Sequence, residues 1–397
     1  MKIQGKYDSA EIYTSNIDET TIKQVYGLLN SPISLGANIR IMPDCHAGAG
    51  CVIGTTMNIT DKVCPNIVGV DIGCGVLTVE LGKMEIDLPK LDEYIKNNIP
   101  NGFAINSKPH DYALELYHQL KCKEFIKNKD RVFKSLGTLG GGNHFIEVDI
   151  DEENNKYLLI HSGSRNLGLQ IAKHYQNEAT KQFEGKHHDE TQKIIDNLKL
   201  QNRQSEISDM LKNCKYKRES PKELDYLTGN MLQDYLYDMN IAQEYAKVNR
   251  IIMAVIICSF LKTDPNNSFD TVHNYIDINH MILRKGAVSA MKNEKLIIPI
   301  NMRDGALICS GKGNHKWNYS APHGAGRILS RSQAKRELKE IDFKETMKGI
   351  YTTTATIDTI DEAPMAYKPI EEIINNIGDT VEILKIIKPI YNFKATK

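Results

Sequence analysis

The stretch Val68-Gly69-Val70-Asp71-Ile72-Gly73-Cys74-Gly75-Val76 sets a carboxylate and a thiol three positions apart, with glycine on both sides of the thiol. Apolar residues lead into the pair and continue through Leu77-Thr78-Val79. The pattern predicts a strand, a tight glycine turn that lifts two metal-type ligands clear of a sheet, and a second strand. An Asp-x-x-Cys spacing alone is ordinary structure. Its meaning depends on what the rest of the chain brings to it.

Three later histidine segments share its character. Gly137-Thr138-Leu139-Gly140-Gly141-Gly142-Asn143-His144 is a glycine loop running into the alternating Phe145-Ile146-Glu147-Val148-Asp149. Glycines there permit positive φ and close approach of backbone to a bound group. Tyr157-Leu158-Leu159-Ile160-His161 reads as a strand that delivers a histidine to the turn Ser162-Gly163-Ser164-Arg165. Small residues, free N–H groups and an arginine suit a phosphate there. Val272-His273-Asn274-Tyr275 supplies the third histidine. Asp71, Cys74, His144, His161 and His273 are thus five metal-type ligands at predicted strand ends or turns. A thiolate can bridge two cations, and two metals ~3.5–4 Å apart stabilise the attacking and leaving oxygens of phosphoryl transfer. Softness alone favours zinc for such a donor set.

His323 has a different setting, in Ser320-Ala321-Pro322-His323-Gly324-Ala325-Gly326-Arg327. No acid adjoins it in sequence, and small residues leave room around it. A neutral imidazole so placed is a candidate nucleophile toward phosphorus, against the plain alternative of a buried histidine satisfied by backbone. Arg327 is expected to open a helix carrying Arg331, Lys335 and Arg336.

The remaining sequence narrows the class. The 397 residues carry 50 basic and 50 acidic side chains. That balance argues against indiscriminate coating of polyanions and leaves room for a local basic groove. The eight cysteines have no framework spacing, which predicts reduced thiols in the cytoplasm. The N-terminus has no apolar signal region. The most apolar helical run, 251–261, is about half of the ~20 residues a membrane span needs, so it reads as a buried helix.

Asp18 and Glu19 open an amphipathic helix, and Ile39–Met42 reads as a strand ending at Pro43. Residues 86–135 read as peripheral helices in which His110 and His118 are surface or packing groups. From about 169 to 262 the chain reads as an inserted helical hairpin arm, its two long helices separated by Pro221. Within it His187 and His188 read as solvated, and Met239, Ala242, Ala246 and Met253 as a packed face. Asn249 and Arg250 are secondary candidates for substrate contact. The tail from Ile383 to Phe393 alternates and ends in Lys394. Ligand-type residues run from 71 to 323, so residues 1–397 are expected to form a single α+β catalytic domain with mixed sheets around a two-metal site.

Val68–Gly75, Leu136–Glu147, His161–Arg165, His273–Tyr275, Lys285–Ala290 and His323–Arg327 resemble the RtcB family of RNA-splicing ligases. Asp361–Lys368 resembles a further family segment, and the likeness runs from about Met42 to the C-terminus. The resemblance implies a GTP- and manganese-dependent enzyme that joins an RNA 3′-phosphate or 2′,3′-cyclic phosphate end to a 5′-hydroxyl end. By the motif match, Asp71, Cys74 and His144 would hold one manganese, and Cys74, His161 and His273 the other. Cys74 would therefore serve both ions of the catalytic centre. His323 would attack the α-phosphate of GTP and carry GMP. The guanylyl group would pass to the RNA 3′-phosphate, and the 5′-hydroxyl would attack that activated end.

Asn143, Phe145, Glu147, Asn301, Ala325 and Lys394 match guanylate contacts, and Arg165 and Arg327 are expected to meet phosphates. A cytoplasmic monomer is expected, with no membrane association. The sequence departs from the family at Pro299-Ile300-Asn301-Met302, where Pro-Gly-Ser-Met is common. Serines that touch the guanylate elsewhere correspond to Asn301 and Ala306, and an alanine side chain makes no hydrogen bond. That departure bears on nucleotide preference. Two other readings compete. A two-metal phosphatase or cyclic phosphodiesterase has no need of His323, and an RNA-binding protein acting through Lys312, Lys316, Arg331 and Arg336 has no need of the metal-type ligands.

Overall fold

Period-two runs rich in valine, isoleucine and leucine build two large sheets, with two small two-stranded ones, in this protein, whose computed structural model describes residues 1–213 and 220–395. The side chains of residues 186–188, 190 and 211–213 lie outside that description, and with them the reading of His187 and His188. One sheet orders its strands as Lys2–Gln4, Ser9–Ile12, Ile39–His46, Ile53–Asn58, Ile282–Lys285 and Asn274–Asp277. It is mixed, because Ser9–Ile12 and Ile39–His46 run parallel. The other orders Ser268–Val272, Gly75–Gly82, Lys156–Ser162, Phe145–Ile150, Val381–Lys394, Gly305–Gly311 and Lys295–Asn301, all antiparallel.

The predicted donors sit where these strands end. Cys74 immediately precedes Gly75–Gly82, His144 immediately precedes Phe145–Ile150, and His161 lies one residue from the end of Lys156–Ser162. His273 is the single residue between Ser268–Val272 of one sheet and Asn274–Asp277 of the other. The centre therefore forms at the junction of the two sheets.

Several local readings need correction. Val68 closes a helical turn, Pro65–Val68, and is not in a strand. Gly69 then leaves that turn at φ 99°, a conformation costly for any residue with a Cβ. The strand from Ile39 does not stop at Pro43 but continues to His46. A register shift between Ile41 and His46 removes the ladder bond that proline cannot make. Arg327 opens no helix. The helix is Arg331–Glu337, started by a capping box between Ser330 and Gln333 that fixes the first turn four residues later. The helix at Glu19–Leu29 forms as expected, with Asp18 accepting from Thr21 N–H.

The two helices of the predicted arm are Arg165–Leu200 and Gly229–Leu261. The second is no peripheral element. Met253, Ala254, Ile257 and Cys258 pack into the core beneath the seven-stranded sheet, beside Val79, Ile146, Leu158 and Ile160. Asn249 and Arg250 on the same helix are fully buried. Among the described residues no helix is long and apolar enough to cross a membrane.

Candidate metal centre and adjoining cavity

Asp71, Cys74 and His144 form one trio of donor atoms, and Cys74, His161 and His273 a second; within each trio the atoms lie within 4.8 Å of one another. Cys74 Sγ is common to both. It lies 3.5 Å from His144 Nε2 and 3.3 Å from His161 Nε2, while His161 Nε2 lies 3.4 Å from His273 Nε2. Asp71 Oδ2 is 3.0 Å from His144 Nε2.

The tautomers follow from the other ring nitrogens. His144 Nδ1 lies 2.8 Å from the Leu139 carbonyl and His161 Nδ1 lies 3.2 Å from the Asn143 carbonyl. A carbonyl only accepts, so each Nδ1 carries the proton and each Nε2 turns a bare lone pair toward the sulfur. Burial, with neighbouring histidines adding to it, holds His161 and His273 well below the usual imidazole range, hence neutral. Burial pushes the Asp71 carboxyl up, but its contact with His144 and the charge of Arg165 bring it down to about 2. Burial and then Asp71 push the Cys74 thiol far up, so a thiolate here needs a cation beside it. Converging neutral imidazoles, a carboxylate and a sulfur fit two divalent cations that share the sulfur.

The long helix braces the loops that carry these donors. Asn249 Oδ1 accepts from the N–H groups of Gly137 and Thr138, and its Nδ2 donates to Thr138 O, Ser162 Oγ and Gly163 O. Arg250 donates to Gly73 O and Ser162 O at 2.8 Å each and forms a two-pronged ion pair with Asp270. These two residues position the Asp71–Cys74 turn and the end of the His161 strand; they do not reach substrate. Gly163 has to be glycine, because a Cβ there would meet Asp71 Oδ1 at 2.1 Å. Gly140, at φ 80°, leaves its space to the Arg165 guanidinium, which a Cβ would meet within 2.0 Å.

A cavity of about 1250 Å³ opens from the His161 and His273 side. Its wall includes His323, Asn143, Phe145, Glu147, Asn301, Ala325, Arg327 and Lys394. Arg165 is not in this wall. It lies behind His144, with Nη1 3.4 Å from His144 Nδ1. Arg327 is held by Tyr367 Oη at 3.1 Å, the Asp361 carbonyl and Glu362.

His323 does have an acid, supplied by tertiary contact. Asp44, fully buried, sits with Oδ2 2.6 Å from His323 Nδ1 and also accepts from the His323 backbone N–H at 3.1 Å. The carboxylate fixes the proton on Nδ1 and leaves the Nε2 lone pair free. The His323 and His273 ring centroids are 5.0 Å apart.

The family model described as "tRNA-splicing ligase RtcB" matches residues 24–124 and 114–395. This chain belongs to the RtcB family. It is 28% identical over 397 residues to the Escherichia coli K12 protein named RNA-splicing ligase RtcB, covering 90% of each chain. It is 28% identical to the tRNA-splicing ligase RtcB of Aeropyrum pernix, over 90% of this chain and 87% of that one. The corresponding Methanococcus maripaludis protein is 26% identical, over 98% and 94%.

Sequence reasoning missed Asp44, Glu362 and Asn392 as contributors to this centre and its cavity, and it read Asn249 and Arg250 as substrate contacts where the structure makes them braces of the donor loops. Glu362 is buried in the cavity wall, where it meets Arg327, Arg331 and Lys394 at 3.4, 2.6 and 3.1 Å. The family-like segment Asp361–Lys368 was its only signal. Asp44 had one as well, an acid in a polar glycine-rich segment next to a strand.

Proposed function

We propose that this protein is a GTP-dependent RNA ligase that seals 3′-phosphate or 2′,3′-cyclic phosphate ends to 5′-hydroxyl ends. The observation that carries this reading is His323, fixed by Asp44 through Nδ1, with its Nε2 free at the edge of a five-donor cluster. A two-metal phosphatase whose nucleophile is a metal-activated water does not require such a group. The relatives named as RNA- and tRNA-splicing ligases support the same assignment.

Two divalent cations, manganese by the family likeness, held by Asp71, Cys74 and His144 and by Cys74, His161 and His273, would neutralise phosphate charge and lower the pKa of the attacking group. His323 Nε2 attacks the α-phosphorus of GTP, a nitrogen–phosphorus bond forms and pyrophosphate leaves. Asp44 stabilises the charge that develops on the ring as that bond forms. Asn143, Phe145, Glu147, Asn301, Ala325 and Lys394 hold the guanylate. A cyclic phosphate end is first opened to a 3′-phosphate. The guanylyl group moves from His323 to that phosphate, and the 5′-hydroxyl then displaces GMP. Arg165 and Arg327 offer positive charge to the RNA phosphates at two sides of the centre. The enzyme acts as a cytoplasmic monomer.

Incubation with manganese and GTP labelled in the α-phosphate tests this reading. Acid-labile label should appear on the wild type and vanish in His323→Ala. No label on the wild type, or full label on the variant, breaks the mechanism.

A further inference from the structure

Residues 145, 147 and 149 share one face of the strand Phe145–Ile150. Phe145 and Glu147 line the cavity, and Asp149 lies one step further in, fully buried. Opposite Glu147 stand Leu159 on one neighbouring strand and Asn392 on the other. Opposite Asp149 stand Tyr157 and Pro389. Phe145, Tyr157 and Leu159 belong to an apolar cluster with Ile297, Ala306, Ile308 and Ile387.

Neither Asp149 oxygen meets an N–H or hydroxyl donor. Glu147, two residues earlier on the same face of the strand and buried as well, sets its carboxyl beside Asp149. Two carboxyl groups in such contact away from water share a proton, because both cannot ionise. Glu147 also accepts from Asn392 Nδ2, while Asn392 Oδ1 is buried without a donor. The facing cation is Lys394, which is shared with Glu362 and the Asn143 carbonyl. Tyr157 is engaged with Asp151, and Asp151 with Lys385, at the far end of the strand.

We propose that Glu147 and Asp149 form an acid pair in the nucleotide pocket that selects the purine: guanine when Glu147 is ionised, adenine when it is protonated. The inference rests on the ligase reading, in which Glu147 faces the base. The chemistry is complementarity. Guanine presents N1–H and N2–H donors side by side, which an ionised carboxylate accepts together. Adenine presents an N6–H donor beside the N1 acceptor, which a neutral carboxylic acid matches with its carbonyl and its O–H. Burial pushes Glu147 up to about 7, against the pull of hydrogen bonds from Asp149 and Asn392 and the charge of Lys394. Burial, with Glu147 beside it, pushes Asp149 far above the carboxylate range. Asp149 therefore keeps its proton and donates it toward Glu147, which does the switching. Ala306, in the same apolar cluster, carries no side-chain group that could hydrogen-bond to either acid.

The test is competition between α-labelled GTP and ATP for transfer to the full-length, manganese-loaded protein across pH. Both nucleotides present the same triphosphate, so their ratio cancels what pH does to His323 and to the metal-type ligands. The GTP-to-ATP ratio should rise by up to about tenfold per pH unit through neutrality. Glu147→Gln should make the ratio independent of pH. Asp149→Leu removes the donor toward Glu147 and should displace the curve to higher pH, whereas Asp149→Asn keeps a donor and should leave it in place. A flat ratio in the wild type, or a slope that survives in Glu147→Gln, overturns the inference while the ligase reading stands. Absence of transfer from either nucleotide at every pH overturns both.

Discussion

Two kinds of histidine meet around this centre, and they differ in what holds the second ring nitrogen. His144 and His161 rest Nδ1 on backbone carbonyls, and His323 rests it on the buried carboxylate of Asp44. A carbonyl fixes the tautomer of a neutral ligand without adding charge. A carboxylate also fixes the tautomer, and it stabilises the positive ring that forms when Nε2 takes an electrophile. Rings within about 5 Å of one another are thereby given separate tasks by their partners alone.

The strongest way to break this comparison is to remove His323 in one variant and the sulfur shared by the metal-type ligands in another. His323→Ala should abolish covalent labelling and leave bound metal unchanged. Cys74→Ala should abolish both, with metal read by elemental analysis. If both variants lose metal equally, the division of labour is wrong. Next in size, Asp44→Asn should slow labelling on the order of 10⁴-fold, by analogy with other acid–histidine pairs, with metal content retained. An unchanged rate would reduce Asp44 to a packing role.

The supporting shell sharpens the contrast, because it serves the metal side alone. Arg250→Met strands half-buried Asp270 and frees two loop carbonyls from a fully buried guanidinium, and should cost about 3 kcal/mol in chemical denaturation. Metal affinity should fall with it, since the Gly73 and Ser162 carbonyls lose their donors. On the cavity side, burial raises Glu362, but Lys394, Arg331 and Arg327 hold it at about 2, below an ordinary value near 4.5. A depressed carboxylate stabilises the fold above its unfolded pKa and loses that stabilisation as pH falls through the folded one. Acid titration of the wild type should therefore show about 3 kcal/mol lost between pH ~4.5 and ~2. Glu362→Gln should flatten that limb and lower stability at neutral pH, where three cations lose their partner.

Much of the donor set was legible because each ligand carries its own local signal. A glycine turn or a strand end beside a cysteine or histidine is written within a few residues, as at 71–75, 142–145 and 161–165. The helix at Asp18 and the strand pattern of the tail were legible for the same reason. Asp44 was not, since it lies 279 residues from His323 and no local pattern joins them. Asn249 and Arg250 read as possible substrate contacts because a buried polar pair and an exposed one look alike in sequence. Their burial, and the loop groups they satisfy, come from a helix packed under the sheet.

The sequence by itself determined the inventory: which side chains can bind a metal, which histidine stands in open small-residue surroundings, and which family the motifs resemble. Tertiary structure decided the assignments. It decided that Cys74 sits in both trios, that Asp44 orients His323, and that Glu147 has a second acid behind it. The physical reason is that a residue type fixes what a group can do, while its proton, charge and partners depend on atoms that only folding brings within a few ångströms.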